Sequence, residues 1–361
     1  MSKRSFQLDS PQPLRQEDSL DTKVLHNFLT KNSSICKDSD VLKIMQFPGG
    51  ASNLTYQLSI NDHDFILRTA PKGANIKGAH DMQREFNVLQ NLSPYFPYCP
   101  KTILYCDNDA VLGRPFFIME KVTGLIPRET MPIELSPHEN KELCQNLIKV
   151  QVALHEVDIK NTPLKTLGKP EGYVQRQVYG WSQRYQNALT DDVPDGLKLQ
   201  QWLTQNQTQD FPQPALIHND FKFDNIILNP EDPTEIISVL DWEMTTLGDP
   251  LMDLGCSLAY WIEASDPKSL QNIRMLPTTE PGMMTRLELI QYYCQLRNID
   301  IDDFRFYRVF GLFRLAVIVQ QIYARFVSGK THNPKFKHFG LFCNLLIDAA
   351  QQATHSKIKL G

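Results

Sequence analysis

Residues 215–228 read ALIHNDFKFDNIIL, a polar stretch between two short apolar runs. It gathers His218, Asn219, Asp220, Lys222, Asp224 and Asn225 between segments whose composition predicts buried strands. His218, Asp220 and Asn225 fit the spacing H-x-D-x-x-x-x-N, and 16 residues after the Asn a further apolar run, EIISVLDWE, reaches Asp241. Such residues suit phosphoryl transfer. That reaction asks for an acceptor hydroxyl held in line, a carboxylate to take its proton and a metal to neutralise phosphate charge. Asp220 has the chemistry of the base, and Asn225 and Asp241 offer the hard oxygens that Mg2+ takes. The alternative is a solvated hairpin. His218 reads as a core histidine that braces the loop in either case, and the spacing alone is common by chance.

The elements that must position these residues give the spacing its meaning. Leu20, Val24, Leu25, Phe28 and Leu29 recur at helical spacing, with Ser19 or Asp21 as the N-cap. VLKIMQF (41–47), LTYQLSI (54–60) and DFILRTA (64–70) read as an antiparallel meander joined by PGGASN and NDHD turns. A helix from about Asp81 to Leu92 follows, then strands at 101–107 and 115–122. The result is a small α+β lobe over 19–122, preceded by a mobile arm at 1–18. From 123 to 361 helices dominate: 136–158 with a Ser136/Glu139 capping box, then 172–189, 197–206, 250–264, 283–298, 304–328 and 335–353. The polar hairpin of 215–228 sits among them. A Gly-rich turn, a strand with a cation, a helix with a Glu, a hinge, a catalytic loop and a metal-type Asp therefore appear once each, in the order a kinase-like fold needs.

Length and composition agree. A chain of 361 residues exceeds one small core, and 42% apolar with 22% charged residues predicts a globular protein. A net charge of −4 gives no bulk attraction for nucleic acid, so no nucleic-acid partner is expected. The seven cysteines (36, 99, 106, 144, 256, 294, 343) contain no C-x-x-C pair and read as reduced thiols of a cytoplasmic protein. No apolar signal region opens the chain and no run of about 18 apolar residues occurs, so no membrane partner is expected either.

The chain resembles the aminoglycoside phosphotransferase and choline kinase superfamily, and within it the branch found fused to certain acyl-CoA dehydrogenases. FPGGASNLTYQL, FILRTAP, AHDMQREFNVL, GYVQRQVYGW, HNDFKFDN, LDWEMTTLGDPLMDL and LPTTEPGMMTRLELIQYY carry the resemblance, from about residue 25 to 350. It implies a bilobal protein-kinase-like fold with a five-stranded antiparallel N-lobe and a mostly helical C-lobe. It also implies transfer of the γ-phosphate of ATP, with Mg2+, to a hydroxyl of a small molecule. By the same resemblance Asp220 is the base, Asn225 and Asp241 hold magnesium, and Lys222 touches the γ-phosphate. The loop Gly49, Gly50, Ala51, Ser52, Asn53 covers the phosphates. Arg68 stands where most kinase-fold enzymes place Lys, with Glu85 as its ion-pair partner. Met119 backs the adenine ring, and main-chain groups of Glu120 and Val122 bond its edge.

Asp249 before Pro250 fits a helix N-cap, and Asp253 is expected to tie down the catalytic loop. Trp181, Arg184, Tyr185, Tyr260, Trp261 and Arg286 are acceptor-pocket candidates, although aromatic residues at helical spacing are more often core. The C-lobe helices are not unusually acidic, which argues against a polycationic aminoglycoside and leaves a hydroxy acid or hydroxyacyl-CoA open. A nucleotide-binding pseudokinase, a non-catalytic interaction module and an aminoglycoside 3'-type kinase are the rival readings. LDWEMTTLGDP is expected to follow Asp241 directly with a helix, leaving no room for the activation segment of a protein kinase.

Overall fold

The computed structural model describes residues 9–48, 53–71 and 80–356. Along the chain run α1 (Thr22–Asn32), β1 (Leu42–Gln46), β2 (Leu54–Ile60), β3 (His63–Thr69), α2 (Met82–Leu92), β4 (Thr102–Cys106), α3 (Asp109–Leu112) and β5 (Phe116–Glu120). Then follow α4 (Pro137–His155), α5 (Tyr173–Asn187), α6 (Leu197–Gln205), β6 (Ala215–Ile217), β7 (Ile226–Leu228), β8 (Ile236–Val239) and β9 (Thr246–Gly248). The chain closes with α7 (Pro250–Ala259), α8 (Lys268–Gln271), α9 (Arg286–Arg297), α10 (Arg305–Val327) and α11 (Phe339–Ala353). Two compact units result. One comprises Met1–Ile126, Thr162–Leu164 and Ile226–Thr245, the other Pro127–Asn161, Lys165–Asn225 and Thr246–Gly361.

In the first unit, five antiparallel strands pair in the order β1-β2-β3-β5-β4. Strand alternation divides their side chains between two faces. Tyr56 and Leu58 of β2, Leu67 of β3 and Phe116 and Ile118 of β5 form one core with Leu25 and Leu29 of α1. Phe28 meets Phe116 edge-on at 5.8 Å. The opposite face carries Arg68, in register with Thr55 and Phe117, and α2 lies over it with Phe86 6.1 Å from Phe117. Asp21 caps α1 and Asp81 caps α2, each accepting backbone N–H bonds.

Three expectations need correction. The arm at 1–18 is not mobile throughout: Gln12 exchanges backbone bonds with Gln46 at 2.7 and 2.8 Å, and Asp18 is buried against Gln46 and Tyr56. The apolar flanks of the polar stretch do not form a hairpin with each other. β6 pairs with β9 in the second unit, and β7 pairs with β8 in the first. Finally, the segment after Asp241 passes through a 3-10 turn, Trp242–Met244, and the three-residue β9 before α7 begins.

The second unit is helical. Ser136 and Glu139 form the expected capping box on α4. Asp249 caps α7 through Leu251 and Met252 N–H, with Pro250 at the first helical position. α10, 23 residues long, is the one helix among the described residues long and apolar enough to cross a membrane by length and composition, and it is largely buried in this unit. It packs on α7 at a glycine crossing, where a Cβ at Gly311 would meet the backbone of Gly255. All seven cysteines are buried and unpaired.

Candidate active site

In the first unit Arg68 is the hub. Its Nε lies 3.1 Å from Glu85 Oε1, its Nη2 donates to Asp241 Oδ1 at 2.9 Å, and Glu243 Oε2 is 3.9 Å away. Both partners arrive by local design: Glu85 faces the sheet from the first turn of α2, and Asp241 ends the run that β8 begins. Glu85 is 1% exposed, and its Oε2 has no hydrogen-bond partner. Burial pushes its carboxyl up and Asp241 adds to this, against the pull of Arg68. Burial would depress the Arg68 guanidinium, but Glu85, Asp241 and Glu243 outweigh it and hold it charged.

Asp241 adopts φ +67°, a left-handed conformation uncommon outside glycine that Asp and Asn adopt more readily than other residues, and its neighbours restrain it there. Trp242 supplies one restraint, donating its indole N–H to Val239 O at 2.9 Å. Arg84, beside Glu85 on α2, supplies another, donating Nη1 to Glu243 O at 2.8 Å and Nη2 to Thr245 O. Asn53, last of the predicted phosphate-loop residues, donates to Glu243 Oε2 at 2.6 Å and pairs through Oδ1 with His80 Nδ1 at 3.0 Å. Gly49, Gly50, Ala51 and Ser52 lie outside the described residues. Met119 is buried in β5, and the N–H of Glu120 donates to Lys101 O at 2.9 Å, so that amide is engaged within the sheet. Val122 follows the strand.

In the second unit the polar stretch forms a pinned loop. Asn219, at φ +66°, donates its N–H to Asp253 Oδ1 at 2.6 Å, and His218 N–H reaches Oδ2 at 3.3 Å. His155 Nε2 meets the same Oδ2 at 2.9 Å, and Gln151 donates to it at 3.3 Å. The His218 ring, fully buried, accepts the Asp220 N–H at Nδ1 at 3.2 Å and so braces the loop. Asn225 donates Nδ2 to both Asp220 O and Asp220 Oδ2, at 2.8 and 2.9 Å, which turns its own Oδ1 the other way.

Lys222 Nζ sits 3.0 Å from Asp220 Oδ2, 3.7 Å from Asp224 and 4.4 Å from the centre of the Tyr260 ring. Burial raises the Asp220 carboxyl, but Lys222 and Arg314 outweigh it and hold it below the usual carboxylate range. Asp224 goes the other way, raised by burial. Arg314, on α10, is a residue that motif and spacing do not single out in the sequence. Its signal there is an arginine in a stretch, 304–347, that contains no acidic residue.

The acceptor candidates separate. Tyr185 is fully buried and donates to Pro194 O; Trp261 donates to Met284 O. Arg286 is held by Glu263 at 3.2 Å and by Asp266 at 2.5 and 2.7 Å. These three are scaffold. Trp181, Arg184 and Tyr260 remain beside Arg314 and Lys222. No group of three or more His, Cys, Asp or Glu able to hold a metal occurs among the described residues. The oxygens of Asn225 and Asp241 are nonetheless of the hard type that suits Mg2+, and the Asp241 side chain is 33% exposed.

Comparison with known proteins agrees with this chemistry. The model of the phosphotransferase enzyme family matches residues 43–284, and the chain belongs to that family. Its fold is protein-kinase-like. The human acyl-CoA dehydrogenase family member 11 is 34% identical over 338 residues, 92% of this chain and 42% of that protein. The crystal structure of a Ralstonia eutropha protein provisionally named an aminoglycoside phosphotransferase is 27% identical, covers 93% of this chain and 99% of its own, and superposes with a TM-score of 0.77. Choline kinase from Cryptosporidium parvum, 13% identical, shares the fold over 93% of this chain and 96% of its own with a TM-score of 0.63. The chain spans less than half the length of the curated relatives it matches, 29% of one and 42% of another.

Proposed function

We propose that this phosphotransferase moves the γ-phosphate of ATP to a hydroxyl of a small molecule, a hydroxy acid or hydroxyacyl-CoA rather than an aminoglycoside. The observation that carries the reading is Asp220. It is an ionised, half-buried carboxylate at the tip of a loop pinned by Asp253, with its orientation fixed by Asn225. Such a group orients an acceptor hydroxyl and takes its proton without reorganising at the moment of reaction. Lys222, resting on Asp220, carries the charge that a transferring phosphoryl group would attract. Arg68 presents a planar fork suited to phosphate oxygens.

Bound Mg2+ would neutralise phosphate charge, and Asn225 and Asp241 are the residues proposed to hold it. The Arg68–Asp241 pair is also what a nucleotide-binding pseudokinase would show, since it occupies both a phosphate ligand and a metal ligand. ADP release from ATP·Mg2+ across a panel of hydroxylated metabolites and acyl-CoA thioesters separates the two readings. Asp220→Ala is expected to keep nucleotide binding and lose transfer by about a thousandfold or more. Asp241→Ala is expected to weaken Mg·ATP binding in calorimetry. Undiminished turnover in Asp220→Ala would sink the assignment.

A further inference from the structure

The end of α10 and the start of α11 carry an uncovered apolar surface in the second unit. α11 turns Gly340, Cys343, Leu346, Ile347 and Ala350 inward, and these are buried. Its other side is apolar as well: Leu341 is 58% exposed, and Phe342 and Leu345 are half-buried. The 3-10 turn that leads into the helix, Pro334–His338, extends this side. Phe336 meets Phe339 there at 5.1 Å, and Phe339 meets Phe342 at 5.5 Å. α10 reaches the same place, because a Cβ at Gly340 would stand 2.8 Å from the Tyr323 ring. Val327, one turn beyond Tyr323, is 57% exposed. A helix that is apolar on both sides calls for cover on both.

The surroundings of this surface are positively charged. Arg325, Lys330, Lys335 and Lys337 are exposed and form no ion pair with any described residue. His332 and His338 stand exposed among them. No acidic residue occurs from 304 to 347, although the whole chain has a net charge of −4. Asp192 does approach α11, but its carboxylate accepts the Tyr323 hydroxyl at 2.6 Å and its carbonyl takes the Asn344 side chain at 3.3 Å. Phe342 projects from the other flank of the helix, since two positions turn it through roughly 200°.

Charge and residue type select the occupant. A two-fold contact sets one patch against itself, so a second copy would bring these cations against their own kind. Protein interfaces are depleted in Lys, whereas three of the four cations here are Lys. An anionic lipid surface suits both parts of the patch. Its headgroup boundary takes aromatic and aliphatic tips, and long basic side chains reach the charged headgroups around them.

We infer that this face docks peripherally on membranes rich in anionic lipid. Val327, Phe336, Phe339 and Leu341 enter the headgroup region, and Arg325, Lys330, Lys335 and Lys337 meet the lipid charges. The expectation of no membrane partner rests on the absence of a spanning run and a signal region, and surface attachment needs neither.

The test floats the full chain with vesicles of phosphatidylcholine alone or with about one-third phosphatidylserine, in low and high salt. Partition is expected to be at least about tenfold stronger with phosphatidylserine and to fall as salt rises. Lys330→Gln, Lys335→Gln and Lys337→Gln combined, all at exposed positions, should weaken it about a hundredfold. Leu341→Gln should weaken it about tenfold at an unchanged melting temperature, and Val327→Gln repeats that measurement on the other helix. Equal partition onto both vesicle types, or partition unchanged in the triple Lys variant or in both apolar variants, overturns the inference. Capture by soluble polyglutamate without binding to either vesicle also overturns it and assigns the patch to an acidic protein segment. Partition is read without turnover, so the outcome is separate from whether the chain transfers phosphate.

Discussion

Arg68 and Asp241 are joined by a 2.9 Å hydrogen-bonded ion pair between β3 and the turn after β8. The same guanidinium is the counter-ion of Glu85, which is 1% exposed. Removing one partner of a buried pair costs about 3–5 kcal/mol, because the other is left without its counter-ion and must stay charged in isolation or take up a proton. Arg68→Ala is therefore expected to lower stability by about 3 kcal/mol in urea denaturation. Its pH dependence has a definite sign. Without Arg68 the Glu85 carboxyl rises further above its unfolded value, so the folded protein holds a proton that the unfolded chain releases. Stability relative to wild type should then fall as pH rises above the ordinary carboxylate range. Adding Glu85→Gln should abolish that slope; a double variant that keeps it would show that another group titrates.

Arg84 secures the left-handed turn at Asp241 by donating to two carbonyls downstream of it, those of Glu243 and Thr245. Hydrogen bonds from a charged donor are worth about 1.5–3 kcal/mol each. Arg84→Ala should raise the KM for Mg·ATP about tenfold, with a smaller loss in kcat. Arg84→Lys, which can reach one carbonyl, should recover part of it. A kcat loss with unchanged KM would place the role of Arg84 elsewhere.

These interactions show where sequence reading succeeds and where it stops. The ion pair of Arg68 and Glu85 could be anticipated because each lies on an element with a strong period: alternation puts Arg68 on the face opposite Leu67, and α2 begins at the Asp81 cap. The pairing of β6 and β7 could not. Each is three residues long, too short to specify a partner, and β9, Thr246–Gly248, carries no strand signal of its own. Periodicity also hides Arg314, since a long apolar helix declares its buried faces but not which buried position holds a charge. The segment 12–18 illustrates the same limit from another side: Gln12 and Asp18 look like polar tail residues until Gln46 and Tyr56 are seen to receive them.

Asp253 holds the loop of residues 218–225 through the N–H groups of Asn219 and His218, and it does so as the ionised partner of His155. Burial depresses the His155 imidazole against the pull of Asp253. Asp253 itself is buried, but its partners hold it below the usual carboxylate range. Both shifts have the same consequence. As pH falls below the unfolded histidine value of about 6.5, the unfolded chain takes up protons that the folded protein refuses, so stability declines on acidification. His155→Gln should flatten the part of this decline that begins near neutrality, measured as melting temperature against pH. Asp253→Asn should lower kcat more than KM, since one of the two oxygens that accept the Asn219 and His218 N–H groups becomes a donor and the loop loses part of its hold.

The crossing of α7 and α10 sets the position of Arg314, one turn beyond Gly311. At Gly311 a Cβ would strike the backbone of Gly255, and at Gly255 one would strike the carbonyl of Tyr307. Neither neighbour is a flexible side-chain end, so the helices must separate to admit a methyl group. Overpacking of this kind costs about 1–3 kcal/mol, and backbone contact puts the crossing at the upper end. Gly311→Ala is expected to destabilise by about 3 kcal/mol in urea and to displace Arg314 from Trp181. Because Arg314 helps hold the Asp220 carboxyl ionised, loss of turnover should accompany the loss of stability, with nucleotide affinity retained. If Gly311→Ala unfolds more readily yet turns over normally, the crossing supports the fold without setting the position of Arg314.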